Sequence, residues 1–486
     1  MQNELNKKIG QATKWSTVTE ISSKLITPVT NAILARLLVP EAFGVVATLT
    51  LVITFAEIFT DAGFQKYLVQ RDFEDEKDLD LSTNVAFWTN IFISLVIWAG
   101  IAVFATPIAV LVGSEGHETA IIVTGMAIPL VALSSIQMAR FRREFDFKNL
   151  FVMRISVSFV PLLITVPAAL ILRSYWALVM GTLAKELLSM IVLTVRSPWK
   201  PSFCYDFSKL KDMLSFSIWI IVENISIWFC SNAGTFIIGS ILGAYYLGLY
   251  KTTLNTVTGY FNVISGATMP VLFAALSRCQ GNEGEYREVF FRFQRIIGLL
   301  VFPLGFGIFV YRGLGTMILL GSQWTETADL FGMRSLAQAF MIVFSFLNSE
   351  AFRSSGKPQL SVLAQAIDLV IAIPVLYWSA NRNYDSLAFW STACCFVLIV
   401  ATSVIAHFTL GIYMASVIKN VYPSLLSAVV MALTGAYLRI LWPGLVWELF
   451  TVFICVIVYA GCMYLLPDGR KQLAEVPVLN KILRLT

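Results

Sequence analysis

The chain is a succession of apolar segments of about 20 residues, each ended by charge, glycine or proline. A helix rises about 1.5 Å per residue, so each segment is long enough to cross the roughly 30 Å hydrocarbon layer of a bilayer. The segments lie at about 14–38, 43–61, 82–105, 119–138, 150–172 and 175–195, a first block of six. A polar connector, RSPWKPSFCYDFSKLKD (196–212), leads to a second block at about 213–242, 250–277, 294–310, 327–351, 359–379 and 386–410. Two more, at about 421–441 and 445–466, precede a basic tail. The sequence therefore predicts an all-α polytopic membrane protein with about 14 transmembrane helices. Only 13% of the 486 residues are charged, against about a quarter in soluble domains. The predicted loops are short, leaving no room for a catalytic domain outside the membrane.

Charge placement sets the expected topology. With the N-terminus inside, cytoplasmic segments hold 25 of the 35 Lys and Arg residues, outer loops hold four (Arg173, Arg312, Arg382, Arg439), and six lie within spans. Such a bias follows the positive-inside rule and predicts that both termini are cytoplasmic. The polar, basic start MQNELNKKIGQATK lacks a secretory signal pattern and is expected to remain as a cytoplasmic lead-in. The net charge of +5 is thus a matter of topology, and nucleic acid is not an expected partner. Seven cysteines without a CxxC, and only two histidines (His117 and His407), suggest neither disulfides nor a metal site. No phosphate-binding loop for nucleotides is present. No cofactor is expected, and no enzyme activity.

The two blocks repeat. At an offset of about 204 residues, LVPEAFGVV (38–46) falls on LGAYYLGLY (242–250), aligning Gly44 with Gly248 in the expected outer turn after the first span of each block. Glycine suits a tight turn and a close approach. At a slightly larger offset ARFRREFDFKN (139–149) falls on AFRSSGKPQ (351–359). Repeats of parallel orientation imply a pseudo-two-fold axis along the membrane normal, an arrangement common in transporters. The expected organisation is an N-lobe at 1–212, a C-lobe at 213–418, and a C-terminal helix pair with its tail at 419–486.

Several strings carry a family resemblance: LARLLVPEAFG, FTDAGFQKYLVQRDFEDEKDL, MARFRREFDF, MPVLFAALSRCQGNEGEYREVFFRFQRIIGLLVFPL and LLGSQWTETADL. In this order the chain resembles the polysaccharide transporter branch of the multidrug/oligosaccharidyl-lipid/polysaccharide flippase superfamily. Within that branch it is most similar to Wzx-type flippases of colanic-acid and related exopolysaccharide pathways. The resemblance implies two six-helix lobes and alternating access. It also implies movement of a polyprenyl-pyrophosphate-linked oligosaccharide from the inner to the outer leaflet of the bacterial inner membrane. A cation-coupled multidrug antiporter of the same superfamily is the alternative.

The residues add polar stripes to this picture. Glu20, Lys24, Thr27 and Asn31 share one face of the first span, as do Asn224, Trp228, Ser231 and Thr235 in its repeat. The second span offers Thr50, Thr54, Glu57 and Asp61, and its repeat offers Lys251, Asn255, Thr258 and Asn262. Charge facing lipid costs at least about 2.5 kcal/mol, so such faces are expected to line a water-filled cavity. Phosphate needs cations, and sugars need amides, hydroxyls and carboxylates. Lys24 is the first candidate for phosphate, with Lys185, Lys251 and Arg334 behind it. Three of them have a second reading: Lys24 pairs with Glu20, Lys251 snorkels outward, and Lys185, followed directly by Glu186, pairs with a neighbouring helix of its lobe. Glu57, Asp61, Glu223 and Asp368 are candidates for ion coupling or for interhelical hydrogen bonds. The acidic run RDFEDEKDLD (71–80) reads as a solvated loop or a dock for a pathway enzyme such as the polymerase. The aromatics read as interfacial belts rather than a sugar-stacking platform. Two lobes in one chain make a monomer sufficient.

Overall fold

The computed structural model describes residues 26–475, except Thr27, Ala62, Asp72, Phe145 and Pro443. Among the described residues every regular element is helical, and twelve helices are long and apolar enough to cross a membrane. Most of the expected first span, with Glu20, Lys24 and Thr27, lies outside the described residues. Its remainder forms α1 (28–37). There follow α2 (Pro40–Asp61), the short α3 (Phe64–Gln70), α4 (Glu76–Val103), α5 (Glu118–Arg143), α6 (Lys148–Leu172) and α7 (Trp176–Arg196). The second half holds α8 (Phe207–Arg278), α9 (Glu283–Val310), α10 (Ser322–Ser354), α11 (Gln359–Ala380) and α12 (Tyr384–Leu410). The chain closes with α13 (Met414–Leu441), α14 (Leu445–Leu465) and the short α15 (Pro467–Ala474).

The largest departure from expectation is α8. It runs for 72 residues where two spans and a loop were predicted. A straight helix of that length would measure about 108 Å, far more than a bilayer accommodates. A single residue resolves the conflict: Gly243, with φ 78° and ψ 179°, adopts a conformation that only glycine takes readily. It divides α8 into a first arm ending at Leu242 and a second beginning at Ala244. The aligned glycines behave otherwise. Gly44 and Gly248 sit inside helices, so what they provide is close approach and not turn geometry.

The chain forms two compact units, 1–251 and 252–486. In the first, α5 packs on α2, α3, α4 and α7, around Val45, Leu49, Ile121 and Ile128 toward one end and Phe64, Leu68, Phe87 and Ile136 toward the other. The connector is bolted to α4 rather than loose. Asn84 and Ser202 exchange two hydrogen bonds (2.9 and 2.8 Å), the Trp88 indole N–H donates to the Ser202 carbonyl (2.8 Å), and Phe203 stacks on Trp88 with ring centroids 4.5 Å apart. The Thr89 and Tyr205 hydroxyls meet at 2.8 Å.

The second unit is built on α9, which packs against α10 and α13, while α12 packs on α10 and α11. Its core is aromatic, with Phe290, Phe302, Phe331, Phe344 and Phe352 fully or nearly fully buried. Asn282 caps α9 by accepting from the Gly284 and Glu285 amides, and Asn383 caps α12 through the Ser386 amide, satisfying N–H groups that a helix start leaves free. The C-terminal pair is tied to α9 by polar groups. Arg295 forms a 2.5 Å ion pair with Glu475 and donates to Asn420 (2.8 Å), whose amide donates to the Phe291 carbonyl and to Gln294.

Candidate functional site

The second arm of α8 is amphipathic in an unusual sense. One face is buried through Thr253, Val257 and Phe261, with Thr253 hydrogen-bonded to Thr327 of α10 at 2.7 Å and Tyr260 bonded to Ser335. The opposite face carries the predicted stripe, and there Asn255, Thr258 and Asn262 are exposed while Lys251 is half-buried. A membrane helix normally turns polar groups toward protein and apolar groups toward lipid. Here the polar groups are the uncovered ones. Lys251 has no ion-pair partner among the described residues.

Two further stripes meet. On α2, Thr50 is exposed and Thr54 and Glu57 are half-buried. The Thr50 and Thr54 hydroxyls donate to the carbonyls of Val46 and Thr50, both at 2.8 Å. Thr54 also accepts from the Trp228 indole N–H at 3.1 Å, which joins α2 to the first arm of α8. Phe55 packs against Trp228 with centroids 4.8 Å apart. Asn31 and Asn224 are half-buried on their helices. The side chains of Asp61 and Glu223 lie outside what the structure describes.

The other candidates are engaged locally. Lys185, with 53% of its side chain exposed, pairs with Glu186 at 3.3 Å. Arg334 on α10 donates to the Ser391 carbonyl (3.1 Å) and to Cys395 Sγ (2.6 Å) on α12. Asp368, half-buried on α11, lies within electrostatic reach of Arg334. Arg334 therefore ties α10 to α12.

The string motifs prove to be clamps. Arg143 donates to the carbonyls of Leu68 (2.9 Å) and Arg71 (2.7 Å), satisfying the C-terminus of α3, and its guanidinium lies over Phe73. Arg140 pairs with Asp80 at 2.8 Å. The acidic run is absorbed in the same way: Asp75 caps α4, and Asp78 meets Lys209 of α8 at 2.5 Å. That hydrogen bond holds the Lys209 ammonium above its ordinary range. Burial pushes the Tyr67 hydroxyl up, with Arg71 beside it pulling the other way. No sequence signal distinguished these clamps from a docking surface, because both need the same charged residues.

A family model described as "Polysaccharide biosynthesis protein" matches residues 33–329, more than half of the chain. The chain belongs to this family. It is 24% identical over 380 residues to an uncharacterised membrane protein in the cps region of Klebsiella pneumoniae, covering 77% of this chain and 76% of the relative. It is 24% identical over 327 residues to the succinoglycan biosynthesis transport protein ExoT of Rhizobium meliloti, covering 67% of this chain and 65% of that one. Among solved structures, the lipid II flippase MurJ in an inward closed conformation superposes with a TM-score of 0.70 at 14% identity, covering 92% of this chain and 97% of MurJ. At that identity the likeness is one of fold. The all-helical, multi-pass membrane architecture expected from the apolar segments is thus supported from both directions.

Proposed function

We propose that the protein is a flippase that moves a polyprenyl-pyrophosphate-linked oligosaccharide from the cytoplasmic to the outer leaflet of the bacterial inner membrane, for polysaccharide biosynthesis. The observation that carries this reading is the uncovered polar face of the second arm of α8. A lysine, two asparagines and a threonine at one helical face suit a ligand with both phosphate and hydroxyl groups. Lys251 supplies the cation for pyrophosphate, and Asn255, Thr258 and Asn262 supply donors and acceptors for sugars. Asn31, Thr54, Glu57 and Asn224 are further candidates for contacts to the cargo, with Lys24, Glu20 and Thr27 ahead of them in the chain. Family membership and the transport role named for ExoT support the substrate class over the drug-antiporter alternative. In this reading lobes 1–212 and 213–418 alternate in access, 419–486 is an appended pair, and both termini are cytoplasmic. Glu57, Asp61, Glu223 and Asp368 remain the candidates for ion coupling.

The test is mass spectrometry of lipid extracts from a strain lacking the protein, with the glycosyltransferases left intact. One complete polyprenyl-pyrophosphate oligosaccharide is expected to accumulate on the cytoplasmic leaflet. An unchanged lipid profile, with no redundant transporter present, overturns the proposal.

A further inference from the structure

The hydrogen bond that joins α2 to the first arm of α8 has aromatic rings built around it. The Trp228 indole that donates to Thr54 also lies 4.8 Å from the Phe55 ring, which meets Phe59 edge-on at 5.4 Å. Phe55 is 37% exposed, and Trp228 and Phe59 are half-buried, so the three rings form an open surface and not a core. All of these residues belong to the first compact unit.

These rings depart from the belts expected of membrane aromatics, which sit at headgroup level with their polar edges wet. Phe55 follows the start of α2 at Pro40 by 15 residues, and Trp228 precedes the bend at Gly243 by 15. Each therefore lies about 22 Å along its helix from the end expected to be outer, inside a hydrocarbon layer of roughly 30 Å. The indole N–H is satisfied there by a threonine. Around α2, Thr50, Thr54 and Glu57 share one face, and Phe55 and Phe59 share the next. Trp228 touches both faces. Lipid tails would use the rings alone and be penalised by the exposed Thr50 and the half-buried Glu57. A pyranose uses both: one face of its ring is made of C–H bonds that pack on an aromatic surface, and its edge carries hydroxyls that need hydrogen-bond partners.

We propose that Trp228, with Phe55 and Phe59, is a sugar subsite that stacks one pyranose ring of the cargo while Thr50 and Glu57 take its hydroxyls. The proposal rests on the flippase reading and deepens it. A cation holds any polyprenyl pyrophosphate, whereas a stacking surface selects one that carries sugar. Thr54 acts through the indole, whose plane its hydrogen bond fixes, and is a positioning residue.

The test is native mass spectrometry of the full chain offered two probes: undecaprenyl pyrophosphate, and the polyprenyl-pyrophosphate oligosaccharides extracted from a strain lacking the protein. The parent is expected to retain the glycosylated lipid at least tenfold better than the bare one. Trp228→Leu removes the ring and is expected to bring the two lipids to the same level, with the bare lipid bound as in the parent. Trp228→Phe keeps a ring but loses the N–H, and is expected to retain most of the preference. A tryptophan that only braces α2 through Thr54 would make the two variants equally damaging, and that result overturns the subsite. So does a preference left intact in Trp228→Leu. Where Trp228→Leu fails to accumulate, Phe55→Leu gives the same reading with the Trp228 to Thr54 hydrogen bond in place. A parent that prefers neither lipid overturns the cargo assignment itself, whereas a parent preference that both leucine variants keep overturns the subsite alone.

Discussion

At the scale of single residues, an intramembrane charge must be paired, hydrated or offered to a ligand. Lys251 and Arg334 illustrate two of these outcomes. Arg334 is held by Ser391 and Cys395 and lies near Asp368, so its removal leaves a half-buried carboxylate without its counter-charge. Arg334→Ala is expected to lower stability by about 1–3 kcal/mol, read as a fall in the detergent-solubilised melting temperature. The double variant with Asp368→Asn should recover most of the loss. Lys251→Ala, by contrast, should leave the melting temperature unchanged and cut transport by at least tenfold, with Lys251→Arg retaining part of the activity. Normal transport by Lys251→Ala would remove that residue from the phosphate site. The periodicity of the polar stripe was legible in the sequence because a helical face depends only on spacing. Which cations were already engaged was not, since Cys395 and Ser391 lie some 60 positions from Arg334 and reach it only through the packing of α10 on α12.

At the scale of elements, the predicted spans from the second onward each fall on an observed helix wherever a charged or proline-rich break separates them, though α9 begins at Glu283, well before the expected 294. The exception is α8, where the break is one glycine. Hydropathy detects loops by their polarity, and the segment around Gly243 is as apolar and aromatic as its surroundings, so a bend there leaves no compositional mark. The motif arginines were equally opaque in function. Arg143 ties the end of α3 to α5 through carbonyl acceptors, and backbone acceptors carry no sequence signature. Hydrogen bonds to a charged group contribute about 1.5–3 kcal/mol, so Arg143→Ala should free α3. Limited proteolysis of inverted vesicles should then cut between α3 and α4 several times faster than in the parent. Equal cleavage rates would show that α3 is held by its apolar face, through Phe64 and Leu68, alone.

At the scale of the whole molecule, the C-terminal pair is fastened by a small number of polar contacts, and in one of them the partners shift the carboxyl. The Tyr422 hydroxyl donates to Asp468 at 2.8 Å, and Lys471 pairs with the same carboxylate at 3.1 Å. The hydroxyl first, and then the ammonium, hold the Asp468 carboxyl below its ordinary value of 3.8. A carboxyl depressed by folding adds stability above that ordinary value and loses it as the pH falls through the folded one. The attachment of α15 should therefore loosen only below about pH 4, seen as faster amide exchange in 467–475 while α9 stays protected. Loosening that begins near neutral pH would assign the tether to another group.

The strap at 197–205 has a consequence for recombination between relatives. The segment that joins the two sequence repeats is folded into the first of them, where Ser202 and Tyr205 complete the hydrogen bonding of Asn84, Trp88 and Thr89. A chimera that takes its first half from one family member and its second from another inherits a matched joint only if the crossover falls after the Asp78 to Lys209 pair. A crossover placed before Ser197 would deliver α4 with a foreign strap, and shuffled libraries of this family should show few survivors with junctions inside that interval.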